Sequence, residues 1–231
     1  MITTARPDRK LVIVGDSAYA EIAAEYFSCD SSYELAAFSV ERAYLRKSTL
    51  AGLPVVEFET LDQHYGVDTH DVFVAVTYGE LNRLRTRLVA GAKAKGYRLA
   101  SYISSRAFVW RNAALGEHCF VFEDNTLQPF VKIGSNVVLW SGNHIGHHSV
   151  IDDNCFISSH AVVSGFAHIG ANSFLGVNSA ISNNVHVGCD NWIGPGVTIL
   201  KDTADGALYG ATQPEPARVS APRFFKVKTP S

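Results

Sequence analysis

From Leu115 onward, every sixth residue is aliphatic: Leu115, Val121, Leu127, Ile133, Leu139, Ile145, Ile151, Ile157, Val163, Ile169, Leu175, Ile181, Val187, Ile193 and Ile199, with Val109 one step earlier. Glycine often follows the aliphatic residue, as at Gly116, Gly134, Gly146, Gly170, Gly176, Gly188 and Gly194. Four positions after it stand mostly small or short side chains, among them Cys119, Asn125, Ser149, Cys155, Ala161 and Ala167. A period of six matches neither the 3.6-residue helix nor the alternation of a half-buried strand. It predicts a solenoid with flat, six-residue sides, each sending one aliphatic side chain inward. Three sides close a triangular coil, so equivalent residues in successive coils stack about 4.8 Å apart. Each buried aliphatic contributes roughly 1.5–3 kcal/mol before ordering entropy is subtracted. One coil cannot fold alone, but about five stacked coils bury a continuous core.

Ahead of the solenoid the pattern changes. Lys10–Val14 is a short apolar run entering Gly15-Asp16-Ser17-Ala18, after which Ile22, Ala23, Tyr26 and Phe27 follow helical spacing. Strands are predicted over Tyr33–Val40, Asp71–Val76 and Arg98–Ile103, and a helix over Glu80–Lys95. Such alternation argues a parallel sheet. The expected organisation is a Rossmann-like α/β domain over residues 1–105, a parallel β-helix over 106–205 and a tail over 206–231. Gly15 stands without the other glycines of a dinucleotide fingerprint, which argues against NAD.

Composition narrows the partners. With 20 basic and 22 acidic residues the formal charge is -2, which gives no reason to expect nucleic acid or an anionic membrane. No apolar stretch approaches the ~18 residues of a membrane span. Met1–Lys10 is polar and Leu11–Val14 too short for a signal peptide. The cysteines Cys29, Cys119, Cys155 and Cys189 form no CxxC pair. Cys119 and Cys155 occupy the same small position two coils apart, so core packing accounts for them better than a metal does. Reduced thiols in the cytoplasm are expected.

The unbroken repeat, including Gly170–Asn178 (GANSFLGVN), with a small α/β domain before it, resembles the hexapeptide-repeat acyltransferases over almost the whole chain. The resemblance implies a left-handed helix, although generic crossover rules favour the opposite hand. It is closest to the N-acetyltransferases of nucleotide-linked amino sugars of the bacillosamine and perosamine type; sialic acid O-acyltransferases belong to the same group. The implied partners are acetyl-CoA, an NDP-amino sugar such as a 4-amino-4,6-dideoxyhexose, and two further copies of the chain in a homotrimer with sites between neighbouring helices. No metal is implied. The turn after the first strand resembles the one that approaches the nucleotide, which makes Gly15, Asp16, Ser17 and Ala18 candidates for phosphate contact at a helix start. Glu41 is a candidate for the ribose or base, and Thr77 and Tyr78 lie at the same carboxyl edge of the sheet. Coenzyme A is expected along Gly165, the last coils with Gly194 and Gly196, then Lys201, and the basic tail with Arg218, Arg223, Lys226 and Lys228. Gly210 and Pro216-Ala217-Arg218 stand where those enzymes carry one compact segment; Thr212–Glu215 are additional.

Histidines concentrate on the solenoid, seven of nine, and most densely between Ser141 and Ile151. Acyl transfer from a thioester needs a base, which neutral imidazole supplies, and donors for the developing oxyanion. Eighteen residues beyond His147 stands Gly165, and eighteen further Asn183. A histidine beneath a glycine leaves space for a thioester beside a bare backbone N–H. By the resemblance His147 matches the catalytic base and Gly165 the oxyanion glycine. The position after the base, an acid in those enzymes, is His148 here, and a second family histidine falls on Phe156. His148, His160 and His144 are further site candidates, and Asp152 and Asp153 are the nearby acids. His168 and His186 stack on one another and read as a solvent-facing column. Transfer to a sugar hydroxyl, or a β-helix that binds without catalysing, are the alternatives. The histidine spacing of the hexapeptide-repeat carbonic anhydrases has no match.

Overall fold

The computed structural model describes residues 9–227, so Lys228 of the basic tail lies outside the described residues. The first domain runs β1 (Lys10–Val14), α1 (Ala18–Cys29), β2 (Glu34–Val40), β3 (Thr49–Leu50), β4 (Leu53–Glu57), α2 (Leu61–His64), β5 (His70–Val74), α3 (Arg83–Ala94) and β6 (Arg98–Leu99). Strand order is β3-β4-β2-β1-β5-β6, parallel except for β3 against β4. Both faces of the central strands are covered, Leu11, Ile13 and Phe73 on one side and Val12, Val72 and Val74 on the other, which explains their unbroken apolar sequence.

Three local features depart from the sequence expectation. The β3–β4 hairpin turns through Ala51 and Gly52, both at positive φ (48° and 79°), without the Asn-Gly or Asp-Gly signal that marks such turns. The helix begins at Arg83 rather than Glu80, because Glu80, Leu81 and Asn82 all take left-handed φ. The expected strand Arg98–Ile103 is two strands: Arg98–Leu99 pairs with β5, while Tyr102–Ile103 pairs with Phe120–Val121 and opens the solenoid.

The solenoid is a left-handed parallel β-helix with three sheets, one per side of the prism. Its register is eighteen through Ile199, as in Ile145↔Val163, Val163↔Ile181 and Ile181↔Ile199, and the final pairing of Ile193 with Tyr209 is two residues shorter. The aliphatic series is buried from Val121 to Ile199, with Leu115 and Val109 partly buried at the first coil. Cys119 and Cys155 are free thiols inside this core, and burial pushes both up to about 12. From His118 to Gly196, every corner of the prism turns through a left-handed residue. One corner column is His118, Asn136, Asn154, Asn172 and Asp190; a second includes Asp124, Gly142, His160, Asn178 and Gly196; the third is Phe130, His148, Phe166 and Asn184.

The two domains share one core. On one side of the prism the outward positions are Tyr102, Phe120, Val138, Phe156, Phe174 and Trp192, and Tyr19, Tyr26 and Phe27 of α1 pack against this face. Amid the rings sits a polar knot. Arg85 of α3 is fully buried; it donates to Asn136 Oδ1 (3.0 Å), to the Asn154 and Cys155 carbonyls of the prism (3.0 and 3.2 Å), and to the Thr77 carbonyl of its own domain (3.1 Å). His118 accepts from the Val74 amide at Nε2 (2.8 Å) and donates from Nδ1 to Asn136 Oδ1 (2.9 Å). Burial, and then the Arg85 charge, push His118 down to about 3.

Below pH 6.5, and down to about 3, the unfolded chain therefore takes up a proton at His118 that the folded chain refuses. Stability is full above that window and falls as pH drops through it, by up to about 1.4 kcal/mol per pH unit from this residue. His118→Gln removes the titration. Urea midpoints should consequently fall less steeply with acid in the variant than in the wild type; parallel curves would contradict the assignment.

Candidate active site

His147 and Gly165 belong to neighbouring coils at the third corner, one register step apart. A Cβ on Gly165 would lie 2.8 Å from His147 Cε1 and 2.9 Å from Nε2, so the imidazole occupies the space that a side chain would need. Gly146 is equally constrained, because its own Cβ would meet the Gly165 nitrogen at 2.6 Å. Backbone and ring thus pack as a shallow notch. The Gly165 N–H has no hydrogen-bond acceptor among the described residues, whereas its neighbours donate along the coil, Ser164 to Ile181 and Phe166 to His147. His147 is fixed at its backbone by the Gln128 side chain, which accepts from its N–H at 2.9 Å. Its ring is exposed in the single chain, stands edge-on to Phe166 and has Nδ1 3.2 Å from His148 Nδ1. This is an accessible imidazole beside an unused backbone donor, the pair that acyl transfer requires.

His160 lies at another corner, over Gly142, whose Cβ would meet the ring at 2.5 Å. His144 points outward between these corners, in register with Thr126 and Val162. Within one chain, the geometry joins His147, His148 and Gly165 but leaves His160 and His144 apart from them. Phe156 is buried among the rings of the domain junction. His168 and His186 pair in register with rings 4.6 Å apart on the remaining side, where Asp152 binds His168 at 2.8 Å. Asp153 accepts from the Ser135 amide, so neither acid serves His147.

In the first domain, Gly15, Asp16, Ser17, Glu41 and Thr77 converge on one cavity of about 340 Å³. Gly15 has φ +130°, and a Cβ there would strike the Ala75 carbonyl at 2.6 Å, so the close approach of the chain just after β5 demands glycine. Ser17 precedes α1 without a side-chain cap, and Ala18 opens the helix. Glu41 is held by both guanidinium nitrogens of Arg87, at 2.6 and 3.0 Å, and that hydrogen-bonded charge lowers its pKa. Tyr78 leaves this group and packs on Phe156, Phe174 and Trp192. Two residues near this group escaped sequence reasoning: Tyr44, exposed on the cavity wall, and Lys47, which is not part of the lining but whose Nζ donates to the Asp16 carbonyl at 2.9 Å. Neither sits in a motif; the fold of the β2–β3 connection brings them there.

Toward the end of the chain, Gly194 is forced by close stacking on Tyr209 and Ala211, and Gly196 is a left-handed corner facing open space. Lys201 is exposed, as are residues 210–227 with Arg218, Arg223 and Lys226. Among the described residues, no three His, Cys, Asp or Glu side chains converge as a metal-ligand set, and no helix is long and apolar enough to cross a membrane.

A family model for the bacterial transferase hexapeptide (six repeats) matches residues 130–165, the span that contains His147 and Gly165. No curated protein sequence matches the chain. Among solved structures, the acetyltransferase domain of PglB from Neisseria gonorrhoeae FA1090 superposes with TM-score 0.79 at 24% identity, covering 90% of this chain and 100% of that one; the same domain has been solved with acetyl coenzyme A. PerB from Caulobacter crescentus, solved with CoA and GDP-perosamine, superposes with TM-score 0.76 at 24% identity, covering 87% of this chain and 94% of that one. WeeI from Acinetobacter baumannii AYE gives TM-score 0.60 at 18% identity, over 87% and 95%. The likeness spans both domains and establishes their shared fold.

Gly165→Ala tests the notch directly. The added methyl displaces the His147 ring and breaks its contact with His148, which should move both imidazole resonances. Because the obstacle is an exposed side chain, the melting temperature should change by only a few degrees. Unmoved imidazole resonances would show that the ring does not lie over Gly165.

Proposed function

We propose that this protein is an acetyl-CoA-dependent N-acetyltransferase acting on a nucleotide-linked amino sugar, a 4-amino-4,6-dideoxyhexose being the favoured acceptor. The notch supports it: an imidazole seated against a glycine whose amide is unused, in the segment that carries the hexapeptide signature. Structures of the same fold bind acetyl coenzyme A, or CoA with GDP-perosamine. In the proposed reaction His147 Nε2 takes the proton of the attacking amine, and the Gly165 N–H donates to the carbonyl oxygen as it becomes anionic. The carbon–sulfur bond then breaks, and the thiolate of coenzyme A leaves and is protonated. The edge of the prism continues from Gly165 through Asn183 to Lys201, roughly 14 Å from His147 by three coil steps, a track for the phosphate-bearing tail of the thioester that Gly194, Gly196 and Arg218 would extend. The cavity at Gly15–Ser17 takes the nucleotide, with its phosphates toward the start of α1 and Glu41 toward the ribose or base. Four free cysteines suit a reducing cytoplasm.

Thiol release from acetyl-CoA, measured across NDP-4-amino-4,6-dideoxy sugars and matching hydroxy sugars, decides the acceptor. Release with amino sugars alone is expected; release with hydroxy sugars alone would make the protein an O-acyltransferase. His147→Ala should lower turnover ~10²–10⁴-fold with the fold intact, and activity within a few-fold of wild type would remove it from the mechanism.

A homotrimer completes the proposal. Phe108, Trp110, Phe130, Val162 and Phe166 are large apolar residues exposed along the face and edge that hold the notch, an arrangement that a second copy would cover. Sedimentation should give three chains, and the double variant Phe108→Asp, Val162→Asp should give one. A wild-type monomer at micromolar concentration would refute this assembly.

A further inference from the structure

His148 is the central ring of a three-ring column. Phe130 lies 4.5 Å away on one side and Phe166 4.7 Å away on the other, at 27° and 17° to its plane. All three occupy the left-handed corner, at φ 67°, 60° and 58°. The sandwich fixes the plane of the imidazole, and its Nδ1 meets the Nδ1 of His147 at 3.2 Å. Two Nδ1 atoms at that distance share one proton: one donates it and the other accepts.

We infer that His148 is the positioning residue for His147, accepting its Nδ1 proton and thereby keeping the His147 lone pair on Nε2, the nitrogen beside Gly165. The reverse arrangement would place a hydrogen on His147 Nε2 and leave the notch without a base. When His147 gains a second proton during turnover, its Nδ1–H remains a donor to neutral His148, and the bond becomes charge-assisted. His148 thus supplies orientation and tautomer control without a negative charge. The inference rests on the acyl-transfer proposal for its kinetics alone, because the tautomers can be read without substrate.

Two variants separate the acceptor from the stack. His148→Phe keeps three aromatic rings in the column, at a corner where Phe130 and Phe166 already hold the same backbone conformation, but removes the acceptor. His148→Asn places a carbonyl oxygen where Nδ1 was, and Asn184 shows that asparagine is accommodated in this column. In 15N spectra of histidine-labelled full-length protein, recorded well above the ordinary histidine range, wild-type His147 should carry its proton on Nδ1 and His148 on Nε2. His148→Phe should shift His147 toward the Nε2–H form and lower kcat about tenfold or more with the KM for acetyl-CoA unchanged, and His148→Asn should recover most of both. A proton on His147 Nε2 in the wild type, or a His148→Phe variant as fast as wild type, would overturn the assignment. A wild type with the expected tautomers but no turnover on any acceptor would instead reject the acyl-transfer proposal and leave this pairing standing.

Discussion

A buried guanidinium holds the two halves of this molecule in register. Arg85 is cut off from water and has no carboxylate among its hydrogen-bond partners; instead carbonyl and amide oxygens from both domains surround it. An ion so placed is costly unless its donors are met, and desolvation pulls Arg85 down to about 10, still charged at neutral pH. The residues that meet it are constrained in turn. Asn136 must present its oxygen to Arg85 and His118, and it spends its amide on Asn154. The Thr77 carbonyl fixes the end of the chain leaving β5, where the first-domain cavity is lined. Leu84 and Leu88 flank Arg85 on α3 and form another wall of that cavity. A single side chain therefore ties the cavity wall to a particular coil of the prism.

The prism itself contributes regularity, and regularity alone makes no site. Every coil repeats an aliphatic interior and a left-handed corner, and the position of His147 becomes special only because the next coil offers glycine there. An ordinary side chain at 165 would fill the notch and cover the amide. The proposed chemistry falls where the repeat is locally hollowed, with the hydrophobic core continuing unbroken behind it through Ile145, Val163 and Ile181.

Much of this was legible in the sequence because it is periodic. The six-residue series specified the core, the eighteen-residue step placed His147 beside Gly165, and the aligned cysteines were correctly read as core. The first domain was less legible. Its central strands stood out as apolar runs, but the β3–β4 hairpin turns on alanine and glycine, and Arg98–Ile103 hides a change of sheet inside one apolar stretch. The domain interface did carry a signal that went unread: outward positions 102, 120, 156, 174 and 192 are all aromatic, a column that a solvated face would not hold. Tyr78 joined that column rather than the first-domain cavity for the same reason. Lys47 and Tyr44 were invisible because no periodicity or motif governs the connection that carries them.

The strict register has a consequence for how such a chain can change. Inserting or deleting one residue along a side turns every later aliphatic outward, so length variation is confined to the corners or to whole coils. Duplicating an eighteen-residue coil beyond Gly165 would preserve the core and the notch while moving the end of the prism outward by about 4.8 Å. The solenoid therefore behaves as a ruler graduated in coils, and the distance from the notch to Lys201 is an inheritable length that can be altered only one graduation at a time.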